Sequence, residues 1–380
     1  MGNVSLCAAT DGITPVHGAM WSDGGTDDVI PVSEMQRHAW DDNGTSYTIM
    51  AIHLSGDPNS YGKCVMPSMT IPCIAYNEYS SGDCFVRQIT IGAYGEVWVG
   101  RMRGEIVAVK RLIHDRRHEM RELEDFATEI QLMASFSHAN VLGLLGVAWT
   151  KLENMCLIMQ YMERGDLQQV LQHNNRKTQY NQSNNSIDEF SWASHKAKIA
   201  RDISCGLEYL HGLNPTVVHR DLKSKNVLIG DNFEVKLGDF GVSRMRHDEE
   251  TMTSGVGTAY WTAPEVLAGQ KYSEKADVYS LGVVLAELDT GELPFYDART
   301  SDGDKMEVIH ILHLVVSGKL QPSFSLDCPE DVRKLALACL NPMPDNRPTA
   351  KDVMNELIRL LESDDVVSNE MIASQIGGFM

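Results

Sequence analysis

At 380 residues, with 43% apolar and 22% charged side chains, the chain is longer than one hydrophobic core usually supports. This predicts two cores, or one bilobal domain with an extension, and excludes a disordered or fibrous protein. A net charge of −19 excludes a protein that binds nucleic acid by neutralising phosphates, and no run approaches the ~18 apolar residues of a membrane span.

Residues 1 to about 80 are rich in Gly, Asp, Ser, Pro and Asn, hold nine Asp and Glu against two Arg and Lys, and read as a poorly ordered acidic extension reaching residue 85. Its start, "MGNVSLC", offers Gly2 for myristoylation, although the pattern wants Ser or Thr where Leu6 stands. Lipidation of Gly2 is the one expected route to a membrane. With no secretory signal, the expected location is cytoplasmic. The eight cysteines form no Cys-x-x-Cys pair. Cys156, Cys205, Cys328 and Cys339 sit singly in apolar segments and are expected as buried thiols, while Cys64, Cys73 and Cys84 lack metal-ligand spacing.

From about residue 86 the texture changes. Strands are predicted at "GEVWVGRM" and "GEIVAVKRL", followed by a helix at "MRELEDFATEIQLMASF", where Leu123, Phe126, Ile130 and Met133 recur at helical spacing. More strands follow through Leu157 to Gln160. Beyond Gly165 the pattern is mostly helical, at "WASHKAKIARDISCGLEYLH", "SEKADVYSLGVVLAELDTG", "KMEVIHILHLVVSG", "DVRKLALACL" and "AKDVMNELIRLLES". The tract "QHNNRKTQYNQSNNS" (172–186) reads as a surface insertion between two helices. The expected class is α+β, with a small β-rich lobe (about 86–162) carrying one main helix, a larger helical lobe (about 163–362) and a tail (363–380).

The chemistry concentrates in a few stretches. "ITIGAYGEVWVG" places Gly92 and Gly95 in a turn between two strands, where backbone N–H groups can approach a phosphate. A plain hairpin turn looks the same. "VAVK" ends in Lys110, an ammonium on a buried strand that needs an anionic partner. Glu129, one turn before Met133 on the helical stripe that faces the strands, can supply it. "VVHRDLKSKNVLIG" holds Asp221, Lys223 and Asn226 between two β-branched runs, and "KLGDFGVSR" adds Asp239 at a strand end 18 positions later. For a nucleoside triphosphate with magnesium these charges divide the work. Asp221 can accept a hydroxyl proton, Lys223 can neutralise the moving phosphoryl group, and Asn226 and Asp239 offer oxygen to hard Mg²⁺.

Together these stretches, with "APE" (263–265), Asp277 in "ADVYSLG" and Arg347 in "PDNRPTA", resemble the eukaryotic protein kinase family in order and spacing, from about residue 86 to about 362. The resemblance implies the bilobal kinase fold, ATP and Mg²⁺ as cofactors, Asp221 as base with Lys223 beside it, Lys110 and Glu129 as an ion pair, and Asn226 and Asp239 as metal ligands. It also implies nucleotide contacts at Ile89, Gly92, Gly95, Val97, Ala108, Lys110 and Leu228, with Met159 as gatekeeper and Gln160 and Met162 as the hinge. Glu265 and Arg347 are expected to pair. One departure is Thr90, which stands where the family has its first loop glycine. Altered nucleotide affinity is expected from it.

"HRDLKSKN" and "VGTAYWTAPE" resemble serine/threonine kinases of the tyrosine-kinase-like group, which implies protein substrates with Ser or Thr acceptors. Thr258 is expected near Asp221 and Lys223. Arg220 beside the base implies a phosphate on the loop from Val242 to Thr262, set by an upstream kinase or by autophosphorylation at Thr251, Thr253 or Ser254, with Asp248, Glu249 and Glu250 as competing partners. Two rival readings stand: a pseudokinase scaffold, disfavoured by the intact set of ionisable groups, and the cytoplasmic part of a receptor kinase.

Overall fold

The computed structural model describes residues 3–9, 49–55, 85–92, 95–102, 105–113, 116, 120–148, 155–181, 190–240 and 258–362. Most of the acidic extension, the loop 241–257 and the tail 363–380 therefore lie outside the described residues. The chain divides into two compact units, Met1–Ser137 with Leu142–Tyr161, and His138–Val141 with Met162–Met380.

The first unit carries β1 (Asn3–Ala9), β2 (Ile49–Ser55), β3 (Phe85–Ile91), β4 (Gly95–Met102), β5 (Glu105–Leu112), α1 (Met120–Ala134), β6 (Leu144–Ala148) and β7 (Cys156–Gln160). β1 and β2 pair antiparallel, Asn3 opposite Ser55 and Ala9 opposite Ile49. These two strands fall within the stretch read from sequence as a poorly ordered extension without sustained patterning. "NVSLCAA" alternates only over Asn3–Leu6 and "IMAIHLS" opens on four apolar residues, so neither strand carries a sustained period-2 signal.

The main sheet has the order β3-β4-β5-β7-β6. Register sets its two faces, because directly paired residues and residues two apart share a side. Trp98 opposite Val109, and Val109 opposite Ile158, begin one face, whose core is Val107, Val109, Ala148, Cys156 and Ile158 with Trp98 and Met102 against it. Lys110 lies on the other. α1 buries Leu123, Phe126, Ala127, Ile130 and Met133, the stripe that its 3.6-residue period predicts.

The second unit contains β8 (Gly165–Asp166), α2 (Leu167–Asn181), a π-helical turn at Trp192–Lys196, α3 (Ala197–His211), a 3₁₀ turn at Ser224–Asn226, β9 (Val227–Ile229) and β10 (Val235–Leu237). A second 3₁₀ turn at Thr258–Trp261, α4 (Pro264–Leu267), α5 (Lys275–Thr290), α6 (Val308–Val316) and α7 (Glu330–Cys339) follow, and a last helix, α8, spans 350–362. Here α2 corrects the sequence reading of the Asn/Gln tract. The helix, opened by Asp166 Oδ1 accepting the Gln169 N–H at 2.9 Å, runs to Asn181, so the first ten residues of the supposed insertion are helical.

α5 is buried from Ala276 to Asp289, the state of a helix apolar on nearly every side. Gly282 permits its close packing. A Cβ there would meet Leu340 Cγ at 2.9 Å and Cys339 Cβ at 3.0 Å. Gly291 ends the helix at φ 70°, its N–H donating to Glu287 O at 2.7 Å. Of the four cysteines expected buried, Cys156 and Cys339 are, whereas Cys205 and Cys328 are half-buried, and all four are free thiols. Cys205 lies on the less covered side of α3, a distinction that apolar neighbours in sequence do not encode. No helix among the described residues is long and apolar enough to cross a membrane.

Candidate active site

In the first unit, Gly92 and Gly95 close the turn between β3 and β4, with the Gly92 N–H donating to Gly95 O at 2.8 Å. Ile89 and Thr90 are exposed on β3. Val97 pairs with Lys110, Val99 with Ala108, and Ala108 with Met159. Since Ala108 and Lys110 are two apart on β5, Val97, Ala108, Lys110 and Met159 share one face of the sheet. Gln160 alternates to the opposite face, opposite Val107. On the shared face Lys110 Nζ lies 2.6 Å from Glu129 Oε1, and Glu129 is 6% exposed. A carboxylate so far out of water requires a cation, and α1 holds it where Lys110 supplies one.

In the second unit the 3₁₀ turn at Ser224–Asn226 folds the chain back beneath Asp221. Asn226 donates its Nδ2 both to Asp221 O at 2.7 Å and to Asp221 Oδ2 at 2.9 Å. Lys223 Nζ donates to the same Oδ2 at 2.7 Å. Spacings of two and five residues thus bring an ammonium and an amide onto one carboxylate oxygen. Leu228 is half-buried on β9, Met162 is buried, and Asp239 is exposed with φ 60°, a left-handed conformation uncommon for Asp.

The base-bearing stretch hangs from α5. Asp277 Oδ2 accepts the His219 N–H at 2.7 Å and Oδ1 accepts the Arg220 N–H at 2.9 Å, with His211 Nε2 2.9 Å from Oδ2. Burial alone pushes the Asp277 carboxyl up. Hydrogen bonding and charge from His211, and the positive field of His219, outweigh it and hold the carboxyl below its usual range. Arg220 adopts φ 68°, and its Cζ stands 5.4 Å from the Tyr272 ring centroid. His219 Nε2 donates to Gly238 O at 3.1 Å, and its ring lies 5.1 Å from that of Phe240, so the segment leading to Asp239 is tied to the same support.

Arg347 is fully buried and bidentate on Glu265, Nη1 to Oε1 and Nη2 to Oε2, each at 2.7 Å. Thr251, Thr253, Ser254, Asp248, Glu249 and Glu250 lie outside the described residues, as does the side chain of Thr258. Sequence reasoning missed another buried acid of α5, Glu287, which accepts from Ser224 Oγ at 2.8 Å and Trp261 Nε1 at 2.6 Å. The available signal was a lone carboxylate in "LGVVLAEL", an otherwise apolar helical run.

Comparison with known proteins follows the same line. The family model described as protein kinase domain matches residues 85–357. A serine/threonine-protein kinase/receptor of Acanthamoeba polyphaga mimivirus is 36% identical over 292 residues, covering 77% of this chain and 16% of the relative. Two Dictyostelium discoideum proteins named as probable serine/threonine-protein kinases, drkA and drkB, are each 35% identical. The first match spans 76% of this chain and 42% of that relative, the second 76% and 39%. The chain thus spans less than half the length of each of these relatives.

Proposed function

The chain belongs to the protein kinase family, and on that premise we propose that it transfers the γ-phosphoryl group of ATP to serine and threonine hydroxyls of proteins. The observation that carries the proposal is the shared Oδ2 of Asp221, held by Lys223 and Asn226 at 2.7 and 2.9 Å. Those two donors fix the carboxylate's rotamer, so that it can take the proton of an acceptor hydroxyl. Lys223 remains beside the transferring group to offset its charge.

Magnesium-bound ATP, when present, supplies the phosphoryl group and a first neutralisation of its charge. The donor set fits that pair. Asn226 commits its nitrogen to Asp221, leaving an amide oxygen, and Asp239 adds an exposed carboxylate. Two oxygen donors with phosphates completing the shell suit Mg²⁺, and among the described residues no group of three or more His, Cys, Asp or Glu forms an all-protein metal cage. Lys110, fixed by Glu129, would meet the phosphates of the nucleotide. Val97, Ala108 and Met159 would present an apolar surface to the base, the backbone of Gln160 and Met162 would serve it as hinge, and Ile89, Gly92, Gly95 and Leu228 complete the proposed set.

Within the family, "HRDLKSKN" and "VGTAYWTAPE" favour the tyrosine-kinase-like group and Ser/Thr acceptors, and the free thiols of Cys156, Cys205, Cys328 and Cys339 fit intracellular action. The test is transfer of labelled γ-phosphate to a generic protein substrate, with phosphoamino-acid analysis. Phosphoserine and phosphothreonine are expected. No transfer would leave the pseudokinase scaffold, and phosphotyrosine alone would overturn the acceptor class. A second reading, the cytoplasmic part of a receptor kinase, is favoured by the mimivirus relative's name. Co-sedimentation of the endogenous protein with membranes tests it.

A further inference from the structure

On the face of the first unit's sheet opposite to Lys110, three strands are joined side chain to side chain. Glu96 on β4 pairs directly with Arg111 on β5, and Arg111 Nε donates to Glu96 Oε1 at 2.6 Å. Glu96 Oε2 accepts from Gln88 Nε2 on β3 at 2.9 Å. Arg111 also sets its Cζ 5.4 Å from the ring centroid of Trp98, two residues on from Glu96 and on the same face. The Glu96 and Arg111 side chains are 14% and 24% exposed, so the pair is shielded from most of the water that weakens surface ion pairs.

Its place in the sheet matters more than its strength. Glu96 directly follows Gly95, the end of the turn whose backbone N–H groups are proposed to approach the phosphates. At Gly95 the strands run so close that a Cβ would meet Arg111 O at 3.0 Å and Lys110 Cε at 3.8 Å. β4 therefore lies against Lys110 and Arg111 right at the turn, and Glu96 holds it there from the outer face. The β3 arm needs a tie of its own. Its register with β4 slips between Gln88 and Thr90, and Thr90 stands where the family has its first loop glycine. Gln88, just before the slip, supplies that tie.

We propose that Glu96 is a positioning residue for the phosphates of the nucleotide, fixing both arms of the Gly92–Gly95 turn to β5 so that the turn keeps its spacing from Lys110. This rests on the kinase reading and deepens it. Glu96 faces away from the nucleotide in this scheme and acts through the backbone of Gly95 and through Arg111.

The test uses the full chain, with magnesium and either ADP or adenosine as the probe in titration calorimetry. Glu96→Gln and Arg111→Met are each expected to weaken ADP binding about fivefold, the scale of a charge-assisted bond that is partly exposed. Adenosine should stay within about twofold, because it has no phosphate to lose contact with the turn. In turnover, KM for ATP should rise by the same factor while kcat at saturating ATP changes less than about twofold. The two substitutions combined should cost little more than one, since both remove the same pair. Reversal of the pair, Glu96→Arg with Arg111→Glu, should recover most of the ADP affinity, because the Gln88 amide can serve either charge.

ADP affinity unchanged in both single variants overturns the proposal. So does an equal loss for adenosine, the result of a pair that only steadies the sheet. If Arg111→Met fails to fold, Gln88→Leu, which removes the β3 tie alone, replaces it; a loss confined to ADP is expected, and an unchanged affinity refutes the tie. A parent that follows this ADP pattern but transfers no phosphate would sink the transfer reading and keep the tie. A parent that transfers phosphate, with ADP affinity indifferent to Glu96, would sink the tie alone.

Discussion

Asp221 accepts from two donors on a single oxygen, and this makes its amide substitution more than a loss of basicity. In Asp221→Asn one oxygen, with two lone pairs, can still accept from both Lys223 and Asn226, but the charge that neutralises the Lys223 ammonium is lost and the other position becomes an N–H donor. Turnover is expected to fall about 10²- to 10⁴-fold, the range for removing a general base. Lys110→Met leaves Glu129, 6% exposed, without the ammonium that neutralises it, and Asp239→Asn removes the proposed magnesium carboxylate. Each is expected to abolish most transfer while the protein stays folded, as judged by circular dichroism. Undiminished transfer in any of the three would remove that residue from the proposed chemistry. At this scale the sequence was most informative where a charge had to have a partner. Lys110 on a buried strand demands an anion, and the apolar flank of Ile130 and Met133 points Glu129 inward. It was least informative for Glu287, because a helical Glu is normally solvated and its two neutral partners lie 63 and 26 positions away.

Among the elements, α5 and the segments that hang from it combine acids whose ionisation responds to pH in opposite ways. Asp277 lies below its unfolded value, so its contribution to stability is present above about pH 4 and is lost as pH falls. Glu287 is displaced the other way, from 4.5 to about 8, so its contribution is complete at low pH and is lost as pH rises through about 8. Thermal midpoints of the parent and Glu287→Gln, compared from pH 5 to pH 9, should therefore diverge in favour of the Gln variant as pH rises. A constant difference would show that Glu287 titrates normally. The Glu265–Arg347 pair makes a separate prediction. Arg347 also donates to the carbonyls of Asn341 at 2.7 Å, Lys275 at 2.8 Å and Pro342 at 3.3 Å, so Arg347→Ala leaves a buried carboxylate without its cation and takes a donor from three carbonyls. A loss of about 3–5 kcal/mol is expected in denaturant titration, and an unchanged midpoint would count against it. Most helices were legible from their period. The continuation of α2 to Asn181 was not, because the Asn residues that crowd the tract are poor helix formers and the helix is fixed by its start at Asp166 and by tertiary contact, such as Asn175 Nδ2 donating to Gly291 O at 2.9 Å.

For the whole molecule, the division into a sheet-rich unit and a helical one followed from the change of period along the chain, and the kinase domain was legible because its motifs kept their order over more than two hundred residues. For the regulation of that domain we propose a phosphate on the loop, with Asp248, Glu249 and Glu250 as the competing anions. Arg220 is exposed beside Asp221, with the face of Tyr272 as its aromatic neighbour, an arrangement that accommodates a further anion. Phosphorylation of Thr251, Thr253 or Ser254 is the proposed source. Phosphatase treatment of the parent is expected to lower its rate to that of the variant with all three changed to Ala, and a treated parent at full rate, matched by the variant, would remove the switch. The enclosure of α5 has a consequence for how the protein opens. Its amides from Val278 to Leu288 lie inside a helix covered on every side, so deuterium can reach them only when the second unit opens as a whole. Their exchange rates should cluster on one slow value and respond together to urea, giving a direct gauge of that unit's global stability. The amides of α6, whose Ile309 is 83% exposed, should exchange earlier through local fraying.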